Sequence, residues 1–324
     1  MNLKEELRQQ VFSRKVQELG CLTDGAKEEL KAAIQADLER FCETDQERSS
    51  YSLLQALETF REDQRQLELC QTESQFLSAR LQILDRLSEK ASLALAKYPH
   101  NLDATHLMVL LESGSPNDIL MDLLNLKDSY PVDLQDYLLV DEDIHERLEL
   151  RAYLRLLASI DRFYLDTGKA LQAKTLSKLI LSVNPSDSLG VSNTLVLALA
   201  RLEDLKELKS IDRLRFRQDN SWMHLARTLI LYKLDRMSAA RRSLLGMIRL
   251  CEGSAFALLR PSMTEMYLLQ RPPALTCSFE EVQLAVREAE PVLEDTPEFI
   301  RWVSQQSEAT ESAQAFARNH GFDF

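Results

Sequence analysis

Apolar residues recur at every third or fourth position along most of the chain, and short polar breaks separate the runs. That period gathers apolar side chains on one face of a helix, so it predicts helices rather than strands. Leu3, Leu7 and Val11 mark a first helix over residues 3–19, and Leu30, Ala33, Ile34, Leu38 and Phe41 mark a second over 24–43. Gly20 to Gly25 supplies the turn between them, with Thr23 or Asp24 placed to cap the second helix. A more charged helix over 48–70 carries Leu53, Leu54, Leu57 and Phe60. Phe76, Leu77, Leu81, Leu84, Leu87, Ala91 and Leu95 then continue the spacing to the break "KYPHNLDA". A shorter hairpin turns around Gly114 and Pro116, and the acidic stretch 132–146 reads as a loop.

From residue 154 the pattern organises into pairs. In the first, Leu157, Ile160 and Tyr164 share a face, Gly168 makes the turn, Ala173 sits at the crossing and Pro185 ends the second helix. The next pair starts at Ser188, with Val191, Thr194, Leu195 and Ala198 inward, and its partner "DLKELKSIDRL" is short. A third joins "NSWMHLARTLILYKL" to "MSAARRSLLGMIRL", with Ala239 and Ala240 near the crossing. Each hairpin carries apolar residues on more than one side and needs neighbours to cover them. The expected fold is all-α: a curved array of antiparallel helix pairs, an α-solenoid, over 46–275. A helical extension over 1–45 precedes it and a capping tail over 276–324 closes it. In that tail Ser278 and Glu281 fit a capping box, and Thr296–Pro297 fits an N-cap followed by a first-turn proline.

Composition narrows the function. Eight glycines and nine prolines in 324 residues disfavour turn-rich β and α/β folds. A net charge of −12 argues against a whole surface that grips nucleic acid or an anionic membrane. No apolar run approaches the roughly 20 residues that span a bilayer, so no membrane insertion is expected. Five scattered cysteines without CxxC spacing imply reduced thiols and a cytoplasmic setting. The chain has no phosphate-binding glycine loop, no GxSxG and no HExxH, so neither catalysis nor a cofactor is expected. Asp141, Asp143, His145 and Glu149 in "DEDIHERLE" form an acidic run whose plain reading is a solvated approach to a helix. Cys251 and Cys277 flank the tail with no histidine near either in sequence, and read as small core residues.

Residues 154–185 resemble a tetratricopeptide repeat at Leu157, Ile160, Tyr164, Gly168, Ala173 and Pro185. They depart from it at Asp161, where a small residue is usual, and at Ser177, where an aromatic is usual. Later units lack the turn glycine at Leu202 and near Lys233. Residues 80–305 are similar to divergent tetratricopeptide-like proteins of the suppressor of tumorigenicity seven family, through "NPSDSLGV" and the tail "RPPALTCSFEEVQLAVREAEPVLEDTPEFIRWV". The resemblance implies a helical scaffold and carries no catalytic residues with it.

In such a scaffold the first helix of each pair lines a groove, which places Arg155, Arg162, Asn193 and Arg227 there as ligands for a protein or peptide carboxylate. The plain alternative is an exposed Arg162–Asp166 pair with no function. Residues 201–260 hold 13 Lys or Arg against 7 Asp or Glu, a basic belt in an acidic chain. Within it Arg213, Arg215, Arg217, Arg241 and Arg242 form an alternative anion or nucleic-acid surface, or a belt that pairs with the chain's own acids. A protein-binding adaptor is the leading expectation. Its ligand and oligomeric state are not legible.

Overall fold

The structure, a computed structural model, describes residues 3–65, 67, 70, 72–130, 132–137, 147–214, 220–260 and 268–324. Among the described residues there are eighteen α-helices, two short 3-10 helices and no strand. No helix among them is long and apolar enough to cross a membrane. Contacts divide the chain into two units, Met1–Val132 with Glu142–Leu156, and Asp133–Asp141 with Leu157–Phe324.

The first unit holds α1 (Leu3–Leu19), α2 (Asp24–Ala36), α3 (Leu38–Phe41), α4 (Asp45–Gln64), α5 (Glu73–Lys97), α6 (Leu102–Leu111) and α7 (Pro116–Asp128). One device opens five of these helices. Thr23, Thr44, Thr72, Asn101 and Ser115 each accept a hydrogen bond from the amide three residues on, which satisfies a first-turn N–H. The single helix expected over 24–43 is broken at Asp37, whose φ of −145° leaves the helical region and whose carboxylate accepts from the Arg40 amide to start α3. The break brings Leu38 and Cys42 into one core with Leu7, Val11, Ile34 and Leu54. The first 45 residues therefore share their core with α4. On α5 the buried row is Ile83, Leu87, Ala91 and Ala94, whereas Leu77 and Leu81 stand 49% and 62% exposed. Two alanines at the crossing let α5 pack closely on α4 and α6, which selects that row.

The second unit holds the later part of α8 (Arg151–Asp166), then α9 (Ala170–Val183), α10 (Val191–Arg201), α11 (Leu205–Leu214), α12 (Ser221–Lys233), α13 (Met237–Leu250) and α14 (Ser254–Leu259). The tail adds α15 (Phe279–Glu288), α16 (Glu290–Glu294), α17 (Glu298–Ser304) and α18 (Ser307–His320). Helix α10 packs on α9 and α12, α12 on α13 and α15, and α14 on α15 and α18.

The same turn follows α8, α10 and α12. Gly168, Glu203 and Asp235 have φ values of 80°, 59° and 54°. After each, the next amide reaches back to the carbonyl five residues earlier: Lys169 to Tyr164, Asp204 to Leu199, and Arg236 to Leu231. Only the first of these positions is glycine; the others accept a left-handed backbone that costs a non-glycine residue roughly 1–2 kcal/mol. The joint "NPSDSLG" is built differently. Pro185 follows the Asn184 cap of α9, and Asp187 (φ 49°) accepts from the Val191 amide at 2.7 Å and caps α10 from outside the helix.

Candidate functional site

Helices α10 and α12 are buried around almost their whole circumference, with only Asn193, Arg201 and Arg227 partly open between Val191 and Ile230 on these two helices. A helix exposed to solvent on one side would keep a polar stripe there. The cover is the chain's own stretch 271–295. It is acidic, carrying six Asp or Glu against one arginine between residues 276 and 295.

Polar contacts hold this stretch at both ends and in the middle. Arg271 donates to the carbonyls of Leu189 (3.1 Å) and Gly190 (2.6 Å), to the Thr194 hydroxyl (2.8 Å) and to Glu288 (2.7 Å). Glu288, 2% exposed, also accepts from the Trp222 indole at 2.8 Å. Arg162 donates to the Glu288 backbone carbonyl at 2.7 Å and pairs with Asp166 at 2.7 Å. Burial raises the Asp166 carboxyl above its ordinary value, against the pull of Arg162. Arg201 pairs with Asp295 at 2.6 Å and donates to the Leu165 carbonyl.

Glu281 does not close the expected capping box. Ser278 does cap α15, but Glu281 Oε2 accepts from the Ser221 amide (3.0 Å), the Ser221 hydroxyl (2.6 Å) and the Cys277 amide (2.8 Å). The carboxylate thus serves the N-terminus of α12, where unpaired amides and the helix dipole favour negative charge. Thr296 likewise fails to cap: Pro297 takes the N-cap position of α17, and the Thr296 hydroxyl is buried with no hydrogen-bond partner.

The proposed ligand residues are dispersed by this packing. Arg155 is 1% exposed, in the first unit, between Glu6 (2.7 Å) and Asp103 (2.5 Å). It was expected on an open face, yet both its guanidinium edges are consumed by carboxylates, and replacing it cannot be silent. Arg162 is engaged as described, so its pair with Asp166 is part of the buried network rather than a solvated one. Asn193 accepts from the Asn220 side chain at 2.9 Å, and Arg227 is half-buried on α12. Arg241 binds Glu308 and Gln306, and Arg242 is exposed. Arg215 and Arg217 lie outside the described residues, as does the side chain of Arg213; so do Asp141, Asp143 and His145, while Glu149 is exposed.

One constellation escaped sequence reasoning. His224 on α12, Cys251 at the end of α13 and Cys277 before α15 bring an imidazole nitrogen and two sulfurs within 4.8 Å of one another. The sulfurs are 2.8 Å apart, and burial pushes the Cys251 thiol well above its ordinary range. Spacings of more than twenty residues across three elements leave no local motif to find.

In the first unit, His106 is fully buried beside Asp103 and Arg155, and neither ring nitrogen has a hydrogen-bond partner. Burial lowers its pKa to about 4, so the ring is neutral. The chain matches no protein-family model, no curated protein and no solved structure.

Proposed function

We propose that the chain is a non-enzymatic helical-repeat adaptor that takes an acidic helical segment of a partner protein on α8, α10 and α12. The observation that carries this reading is the cover itself. Arg162, Thr194, Arg201, Ser221 and Trp222, drawn from those three helices, all engage the single acidic stretch 271–295. The face is thus chemically suited to carboxylates and helix ends, with guanidinium groups, hydroxyls and an indole already placed.

Three identical turns, at residues 168, 203 and 235, support a stack of antiparallel pairs in which α8, α10 and α12 are the inner helices. The resemblance to tetratricopeptide repeats and to the suppressor of tumorigenicity seven family fits the same reading. Five cysteines with no disulfide among them suit a cytoplasmic setting. The basic-belt alternative, anion or nucleic-acid binding, is weaker because Arg241 is held by Glu308 and Gln306.

The test uses a labelled peptide of residues 276–296 as the probe. Asp295→Ala with Glu281→Gln loosens the chain's own stretch, and this variant should bind the peptide more tightly than wild type in fluorescence anisotropy. Adding Arg201→Ala should weaken that binding again. Equal, negligible binding by all three folded proteins would remove the face from consideration.

A further inference from the structure

We infer that His224, Cys251 and Cys277 form a zinc-binding site. The three side chains come from separate elements of one unit, and their donor atoms all lie within 4.8 Å of one another. Zinc–ligand bonds of about 2.0–2.3 Å in a tetrahedron place donor atoms roughly 3.5–3.8 Å apart, so side-chain rotations of about 1 Å complete the site. Two thiolates and one imidazole are a set that zinc favours over harder cations, and two thiolates neutralise its charge in a poorly solvated place. His224 and Cys251 are buried, and Cys277 is partly so, which limits competition from solvent.

The surroundings suit the assignment. The Ser221 side chain is within hydrogen-bonding reach of the Cys251 thiol, and Glu281 accepts from the Cys277 amide at 2.8 Å. The fourth position falls to water. Binding replaces two S–H bonds by two zinc–sulfur bonds and releases both protons, so affinity rises with pH. The position of Cys277 gives the site a structural consequence: zinc would tie the start of stretch 271–295 to α12 and α13. The assignment does not depend on the adaptor reading. A disulfide between the two cysteines is the competing outcome; it would use both sulfurs and give His224 no part.

The experiment uses the full chain, purified under reductant and freed of metal. Zinc is titrated against a chromogenic chelator, and cobalt is used for spectroscopy. One equivalent should bind, cobalt should show a thiolate charge-transfer band with tetrahedral ligand-field bands, and zinc should raise the melting temperature. Cys277→Ser, at a partly open turn, should lose roughly 100-fold or more in affinity and the thermal shift, while Cys21→Ser and Cys70→Ser change neither. Should Cys277→Ser fail to fold, the wild-type cobalt spectrum decides alone. A spectrum without sulfur ligation, binding unaffected by Cys277→Ser, or a Cys251–Cys277 disulfide in alkylated protein from reducing lysate would each overturn the assignment.

Discussion

The Ser177 hydroxyl donates a hydrogen bond of 2.7 Å to the Asp161 carboxyl, and both residues are 0% exposed. These are the two positions at which residues 154–185 depart from the tetratricopeptide pattern. They depart together: the two residues form a polar pair across α8 and α9.

Burial pushes the Asp161 carboxyl up to about 8, against the downward pull of Ser177, Arg271 and Arg162. From its ordinary value of 3.8 to about pH 8 the folded chain holds a proton that the unfolded chain releases. The stabilisation is therefore complete below the unfolded value and is lost as pH rises through the folded one, by at most about 1.4 kcal/mol per pH unit. Asp161→Asn should gain in melting temperature relative to wild type from pH 5 to about 8, and level off above that. A difference that stays flat would show that no proton is held there.

His106 should slope the other way. Its depressed folded value of about 4 means that stability is present above the ordinary value of 6.5 and lost as pH falls toward 4. His106→Leu removes two buried nitrogens that lack partners, and should raise stability by about 1–2 kcal/mol at neutral pH and more at pH 5. Urea unfolding at the two pH values checks both the sign and the trend.

Arg155→Met should cost about 3–5 kcal/mol, because Glu6 and Asp103 remain buried without their cation. Adding Glu6→Gln and Asp103→Asn should recover most of that loss. If the triple variant is no better than the single one, packing rather than charge is what Arg155 supplies.

Two glycines separate constraint from convenience. At Gly253 (φ 65°) an added Cβ would lie 2.5 Å from Phe279 and 2.8 Å from Phe316, within a cluster of rings that includes Phe256. Gly253→Ala should cost roughly 1–3 kcal/mol or more. A Cβ at Gly246, within α13, meets nothing within 4 Å, and Gly246→Ala should gain roughly 0.5–1 kcal/mol. Thermal melts of the two variants should move in opposite directions.

The helices were legible because the spacing of apolar residues is local, and so were the caps at Thr23 and Ser278. The helix break at Asp37 was missed because apolar period continues across it through Ile34, Leu38 and Phe41. Turns at Glu203 and Asp235 lack the glycine that announces the one at Gly168, although their backbones are alike. Arg155 was read as open because helical periodicity shows which face a residue shares, not what packs on it. Its partner Glu6 lies 149 residues away. The same distance problem hid His224, Cys251 and Cys277, and the cover over α10 and α12.

The late position of that cover also bears on synthesis. Arg162, Thr194, Arg201, Ser221 and Trp222 are all translated before any residue of 271–295, which satisfies them. At roughly 5–20 residues per second, the nascent chain spends several seconds with these groups and the flanks of α10 and α12 still open to water. The second unit can then complete this packing only after residues 271–295 leave the ribosome. A stalled or truncated chain would present that open surface to chaperones and proteases.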